Sequence, residues 1–295
     1  MKSENSGISR KLAFIGGDSR ILAAAGTLAA EENAECAVYG FEKYKTNSEN
    51  FTRAQTPEDA VCGACAVVLP LPASKDGLRV FAPYAEKDVY LVSVLSLLAE
   101  DQLLLGGKTD IRINEVHRKT FDYYEREELK IMNAVPTAEG AIAIAMRELD
   151  ITLHGARAAV LGFGRVGKAL ALRLKALGAN VCVCARKKAD LALASSLDME
   201  SADISDMKTV LAGADCVFNT VPERILAESD LRSLRRGVPL IELASAPGCA
   251  DKAEAERAGV NVVPAPALPG KCAPVTAGRI IKSAICAILR EEGVL

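Results

Sequence analysis

Three glycines, Gly162, Gly164 and Gly167, stand in G-x-G-x-x-G spacing directly behind the apolar run Ala158-Ala-Val-Leu161. A helical pattern follows, then a second apolar run, Val181–Cys184, that leads into Arg186 and Lys187. This strand, loop, helix and strand context is what a pyrophosphate cradle requires. Gly162 permits the tight turn, Gly164 lets a phosphate approach the backbone, and Gly167 lets helix and strand pack closely. A helix starting at Arg165 and Val166 turns its first backbone N–H groups and a positive dipole end towards the anion. Sites for NAD place an acid at the tip of the second strand, to hold the ribose 2′-hydroxyl. Arg186 and Lys187 occupy that tip and attract a 2′-phosphate instead, so the expected cofactor is NADP.

Other chemically suited residues follow the later strands, where parallel sheets hold their ligands. Asn219-Thr220-Val221-Pro222 follows one strand and Ala244-Ser245-Ala246-Pro247-Gly248 follows the next, both offering small side chains and backbone amides to the nicotinamide half. A third candidate is the proline-rich segment from Pro266 to Thr276, which contains Lys271. Upstream, Asn133, Thr137 and Glu139 bracket a point where Pro136 suits the first turn of a helix. Such a start orients polar substrates, or Thr137 and Glu139 simply cap it.

The elements that must position these groups form two α/β units. In the first, strands are expected at Leu12–Ile15, Cys36–Gly40, Ala66–Leu69 and Val89–Val94, with Ser19 capping a helix through Ala30. Its turn, Gly16-Gly17-Asp18, carries an acid that would repel pyrophosphate, so this unit is read as shaping the substrate site. A bridge from Tyr124 to Leu149 begins with a short strand-like stretch, Leu129–Asn133. In the second unit, strands are expected at Ala158–Leu161, Val181–Cys184, Cys216–Asn219, Leu240–Leu243 and Val260–Val263. Ile280, Ile281, Ile285, Ile288 and Leu289 mark one side of a last helix. The expected fold is therefore two doubly wound Rossmann-like domains of α/β class with a cleft between them. Residues 1–150 with the C-terminal helix 276–295 make the substrate-cleft domain, and 151–275 make the NADP-binding domain.

The 295 residues, half of them apolar and a quarter charged, suit two ordinary globular cores. A net charge of −2 argues against nucleic acid or an anionic membrane surface as partner. The polar first ten residues have no signal-peptide core, and nine cysteines, of which Cys182, Cys184, Cys216 and Cys286 lie in apolar segments, suit a reducing cytosol. Cys62-x-x-Cys65 leads straight into the Ala66 strand and reads as structural. With only two histidines, no metal site is expected. His117 and His154 read as solvated or capping residues.

Several segments together carry a family resemblance: Ile15-Gly-Gly-Asp-Ser-Arg20, Tyr124-Glu-Arg126, Asn133-Ala-Val-Pro-Thr-Ala-Glu-Gly140, the glycine loop, Asn219-Thr-Val-Pro222, Glu242-Leu-Ala-Ser-Ala-Pro-Gly248, and Leu268-Pro-Gly-Lys-Cys-Ala-Pro-Val-Thr-Ala-Gly278. The chain resembles the A-type subunit of dipicolinate synthase from about residue 12 to 290. Glu242 stands where Asp is expected, Ala246 where Arg is expected, and Lys187 where a small polar residue is usual. The resemblance implies an NADP-dependent oxidoreductase of spore formation that converts dihydrodipicolinate to dipicolinate. It also implies the flavoprotein-like B-type subunit of dipicolinate synthase as partner, a homo-oligomer, and the mother-cell cytoplasm of a sporulating bacterium. Oxidation of the dihydropyridine ring gives up a hydride to the nicotinamide and a proton to a base. Arg20 is then the leading anchor for a substrate carboxylate, Lys271 a second one, and Thr276 a further contact. Glu139, beside Asn133 and Thr137, is the candidate proton acceptor, with water as the alternative. Two other readings stay open. One is a different enzyme on this plan, such as alanine dehydrogenase, adenosylhomocysteinase or methylenetetrahydrofolate dehydrogenase; the other is a non-catalytic NADP-binding protein.

Overall fold

The computed structural model describes residues 10–45 and 50–295, so the polar N-terminal start lies outside the described residues. The chain divides into two compact units, Met1–Met132 with Pro274–Leu295, and Asn133–Ala273.

The first unit runs β1 (Lys11–Ile15), α1 (Ser19–Glu32), β2 (Glu35–Tyr39), β3 (Thr52–Arg53), α2 (Pro57–Val61), β4 (Ala66–Val68), α3 (Leu91–Leu95), β5 (Leu103–Gly106), α4 (Ile111–Val116) and β6 (Thr120–Asp122). Its sheet has the order β3-β2-β1-β4-β5-β6, and every pairing is parallel. The strand expected at Val89–Val94 is not there. A short apolar run fits a buried helix as well as a strand, and this one forms α3, while the sheet takes Leu103–Gly106 instead.

A long helix, α5 (Glu127–Glu148), leaves this unit and enters the next, and Pro136 lies inside it. The strand-like reading of Leu129–Asn133 and the helix start at Pro136 are both corrected by it. Leu129, Ala134, Ala138, Ala141 and Ala145 are buried at helical spacing, and that packing outweighs the hydrogen bond lost at proline. The division between the units falls at Met132, whose carbonyl has no N–H to accept from residue 136.

The second unit runs β7 (Arg157–Leu161), α6 (Arg165–Ala176), β8 (Asn180–Ala185), α7 (Lys188–Ser196), β9 (Glu200–Asp203), α8 (Met207–Gly213), β10 (Cys216–Asn219), α9 (Glu228–Leu231), β11 (Pro239–Glu242), α10 (Lys252–Ala258), β12 (Asn261–Pro264) and α11 (Leu268–Cys272). Its parallel sheet is ordered β12-β11-β10-β7-β8-β9. The order reverses at β7, the switch point beside which a doubly wound sheet binds its ligand. In α6, Gly167, Leu170, Ala171 and Leu174 face the core, the stripe an amphipathic helix needs.

The last helix, α12 (Pro274–Glu291), belongs to the first unit, with Ile280, Ile281, Ile285, Ile288 and Leu289 buried as expected. It lies so close to α1 that a Cβ on Gly278 would overlap the Arg20 carbonyl and the Ala23 side chain. Lys282 crosses to Glu31 at 3.1 Å and Glu32 at 2.6 Å, and Arg290 reaches Glu32 at 2.7 Å. No helix among the described residues is long and apolar enough to cross a membrane. His117 is buried, not solvated, with Nε2 2.7 Å from the Gln102 carbonyl. Cys65 donates from Sγ to the Lys11 carbonyl at 3.0 Å, and burial pushes its thiol pKa up.

Candidate functional site

In the second unit the chain turns at Gly162, where φ is +92°, and its N–H donates to the Cys184 carbonyl at 2.8 Å. A Cβ here would collide with Thr220 and Val221, and one on Gly167 would overlap the Gly162 carbonyl oxygen. Both positions are thus closed by protein. Gly164 is different. It caps α6 with no side-chain hydrogen bond, its φ is an ordinary −76°, and nothing lies within 4 Å of where its Cβ would be. That open space adjoins the N–H groups of Arg165, Val166 and Gly167, and the first turn of α6 holds no acid. The room and the donors both fit a pyrophosphate.

Beyond β8 three cations follow one another in the chain. Lys188 is paired with Asp203 at 3.0 Å, and this bond, with those from Ser205, lowers the Asp203 pKa to about 2. Arg186, 68% exposed, lies 3.6 Å from Glu223. Lys187 sits at the cap of α7 and makes no ion pair among the described residues. Lys187 is therefore open to an incoming anion, and Arg186 is engaged only by its exposed pair with Glu223.

On the other side of β7 the loops after β10 and β11 are joined by partly buried hydrogen bonds. Thr220 donates from both its backbone N and its Oγ1 to the Leu161 carbonyl, each at 2.9 Å. Asn219, wholly buried, accepts from the Val221 N–H and donates from Nδ2 to the Val221 carbonyl and to Glu242. The Glu242 carboxylate also accepts from the Ala244 and Cys249 N–H groups. Burial, and next the charge of Glu242, push the Cys249 thiol far above its usual range and keep it protonated. Glu242 drew no role from sequence reasoning, and Asn219 drew one only as the first residue of the segment expected along the nicotinamide half. The available signal was an amide and an acid, each ending a buried strand ahead of a loop rich in small residues.

The bridge residues are separated by the helix that carries them. Asn133 and Thr137, four residues apart, share one face of α5, and Thr137 Oγ1 donates to the Asn133 carbonyl at 2.8 Å. Thr137 is thus no cap. Glu139, two residues on, lies about 200° further round the helix, where it is 62% exposed and 3.7 Å from Arg173. Gly140 shares the face of Asn133 and Thr137, and Leu268 and Cys272 of α11 press on it. This contact brings Lys271, exposed at the end of α11, to the same region of the second unit. Because α11 follows β12, the region is at the carboxyl end of the sheet.

In the first unit, Asp18 rather than Ser19 caps α1, accepting from the Arg20 N–H at 3.1 Å. Its carboxylate also takes the Arg20 guanidinium in a two-pronged pair, from Nε at 2.9 Å and Nη2 at 2.8 Å. Nη2 donates further to the Leu71 carbonyl at 2.7 Å, and Arg20 is only 8% exposed. Among the described residues only Nη1 has no partner. Thr276 is exposed in the first turn of α12.

The chain is similar to known proteins over nearly its whole length. Residues 11–124 match the family of N-terminal domains from the A-type subunit of dipicolinate synthase. Residues 135–254 match the NAD binding domain of the D-isomer specific 2-hydroxyacid dehydrogenases. The A-type dipicolinate synthase subunit of Bacillus subtilis strain 168 is 31% identical over 286 residues, which span 95% of this chain and 96% of that one. The crystal structure of its counterpart from Bacillus halodurans superposes with a TM-score of 0.85 at 30% identity, covering 95% of this chain and 98% of that one. The crystal structure of the Bacillus subtilis protein gives 0.84 at 31%, covering 96% of both. An L-alanine dehydrogenase at 16% identity and TM-score 0.64, covering 96% of this chain and 90% of its own, shares the fold alone.

Proposed function

Because this chain belongs to the family of A-type dipicolinate synthase subunits, with a nicotinamide-binding domain and an oxidoreductase role, we propose that it oxidises dihydrodipicolinate to dipicolinate with NADP. The observation that carries the choice of cofactor is the pair Arg186 and Lys187 at the tip of β8, beside the open N-terminus of α6. A carboxylate at that tip would repel a 2′-phosphate, whereas two cations attract it. Gly164 leaves the approach clear, the N–H groups of Arg165, Val166 and Gly167 receive the pyrophosphate, and Thr220, Val221, Pro222, Ala244 and Ser245 line the nicotinamide half. When bound, the nicotinamide supplies the hydride acceptor.

The protein then has to hold a dicarboxylate and take up one proton. Lys271 is proposed as a carboxylate anchor and Asn133 as a hydrogen-bonding partner, since both lie in the region built around Gly140. Thr137 supports them through its bond to the Asn133 carbonyl. Glu139 is on another face of α5, so a proton passes from the Asn133 face to water more directly than to Glu139. Arg20 offers a substrate only Nη1, its other donors being held by Asp18 and Leu71, and Thr276 stands in the same unit. The flavoprotein-like B-type subunit is proposed as the partner in this reaction, in a sporulating cell.

The test is turnover. Purified chain, alone and with the B-type subunit, is mixed with NADP and enzymatically generated dihydrodipicolinate, and formation of reduced cofactor is followed by absorbance. Reduction that requires both reactants supports the reading. No reduction with or without the second protein overturns it. Lys271→Ala is expected to raise the apparent substrate constant at least about tenfold, the scale of one charge-assisted contact, with NADP affinity unchanged.

A further inference from the structure

We propose that Glu242 is a positioning residue for the nicotinamide half of the cofactor, an inference that rests on the second unit being the dinucleotide site. The Glu242 carboxylate, at the end of β11, is the meeting point of two loops. Its Oε1 accepts from Asn219 Nδ2 at 2.7 Å and from the Ala244 N–H at 3.0 Å, and its Oε2 accepts from the Cys249 N–H at 2.9 Å. Asn219 passes the constraint on. Its Oδ1 accepts from the Val221 N–H at 3.0 Å and its Nδ2 donates to the Val221 carbonyl at 2.9 Å, so the Val221 backbone is held from both sides. Val221 and Thr220 in turn sit against Gly162, where a Cβ would collide with both. The loops after β11, β10 and β7, three neighbouring strands, therefore form one ledge with a single carboxyl group at its centre.

This ledge lies on one side of the switch point only. A doubly wound sheet binds a dinucleotide across that point, one mononucleotide half to each side. The adenosine half, with its 2′-phosphate, falls towards β8 and Arg186. The nicotinamide half falls towards β10 and β11, over the loops that Glu242 joins. An acceptor with no hydrogen to donate is needed there, because three N–H donors converge on it. Glutamine at 242 would turn an NH2 group towards either the Cys249 N–H or the Asn219 NH2, and two donors cannot satisfy each other. One tie would open and the loop Ala244–Cys249 would lose its fixed position.

The consequence is a split between two ligands. NADP spans both halves; 2′-phospho-ADP-ribose carries the adenosine, the 2′-phosphate and the pyrophosphate but no nicotinamide. For Glu242→Gln, calorimetric titration is expected to show NADP binding weakened about tenfold, the loss of one charge-assisted hydrogen bond, with 2′-phospho-ADP-ribose changed less than about twofold. Glu242→Asp keeps the charge and shortens the reach, and is expected to show the same split at smaller size. It serves as the decisive variant if thermal unfolding shows that Glu242→Gln does not fold. Equal losses for both ligands would make Glu242 a general prop of the domain and overturn the proposal, as would no loss for either. Wild-type protein that binds neither ligand would instead overturn the reading of the second unit as the cofactor site.

Discussion

The three glycines of the loop have different tasks, and single substitutions separate them. A side chain at Gly164 meets no protein atom and needs no unusual backbone, so Gly164→Val is expected to leave the thermal unfolding midpoint near wild type while abolishing dinucleotide binding. Gly167→Ala, by contrast, drives a methyl group into the Gly162 carbonyl and is expected to destabilise the unit by about 1–3 kcal/mol, read as a lowered unfolding midpoint. Arg186 and Lys187 are proposed to set the choice of cofactor. Replacing them with Asp and Ser is expected to weaken NADP by roughly 2 kcal/mol, about thirtyfold, with NAD changed much less. These residues were legible in the sequence because spacing and strand context determine their places. The tie between Asn219 and Glu242 was not, since they lie 23 residues apart along the chain and meet only when β10 and β11 pair. Arg20 shows the opposite case: its type and position suit a ligand, yet Asp18, two residues earlier, takes most of its donors.

Among the elements, those with two buried faces or a full amphipathic stripe could be read directly, as β1, β7, β10, α6 and α12 were. The edge strands β9 and β3 could not be, although the edge strand β12 was. β9 has no buried residue and β3 is two residues long, so neither shows the apolar run that marks a central strand. α5 was misread because a proline usually begins a helix, and only the burial of its alanines shows that this one continues through it. The pairing of α1 with α12 predicts a pH response. The hydrogen bond from Lys282, then that from Arg290, holds the Glu32 pKa below its ordinary 4.5. A carboxylate with a lowered folded pKa stabilises above the unfolded value, and that contribution is lost as pH falls through the folded value. The first unit is therefore expected to lose stability below about pH 4.5. Lys282→Met should make that acid limb shallower, as measured by thermal unfolding from neutral pH down through the carboxylate range.

Across the whole molecule, both sheets follow the same order, three strands to one side of the first strand and two to the other in reversed succession. Doubly wound topology was legible from alternating strands and helices, but the identity of the two orders needed the polar edge strands as well. The last helix returns to the first unit and buries ten of its residues there. A chain ending at Ala273 is accordingly expected to lose the folded first unit, seen as a missing thermal transition, while its second unit still binds NADP. The claim on which the proposed function turns is that the second unit holds NADP through the open start of α6 and the cations beyond β8. Calorimetric titration of the full chain with NADP and with NAD tests this most directly. NADP is expected to bind at least about tenfold more tightly, a difference of about 1.4 kcal/mol; equal affinities, tighter binding of NAD, or no binding of either would contradict it.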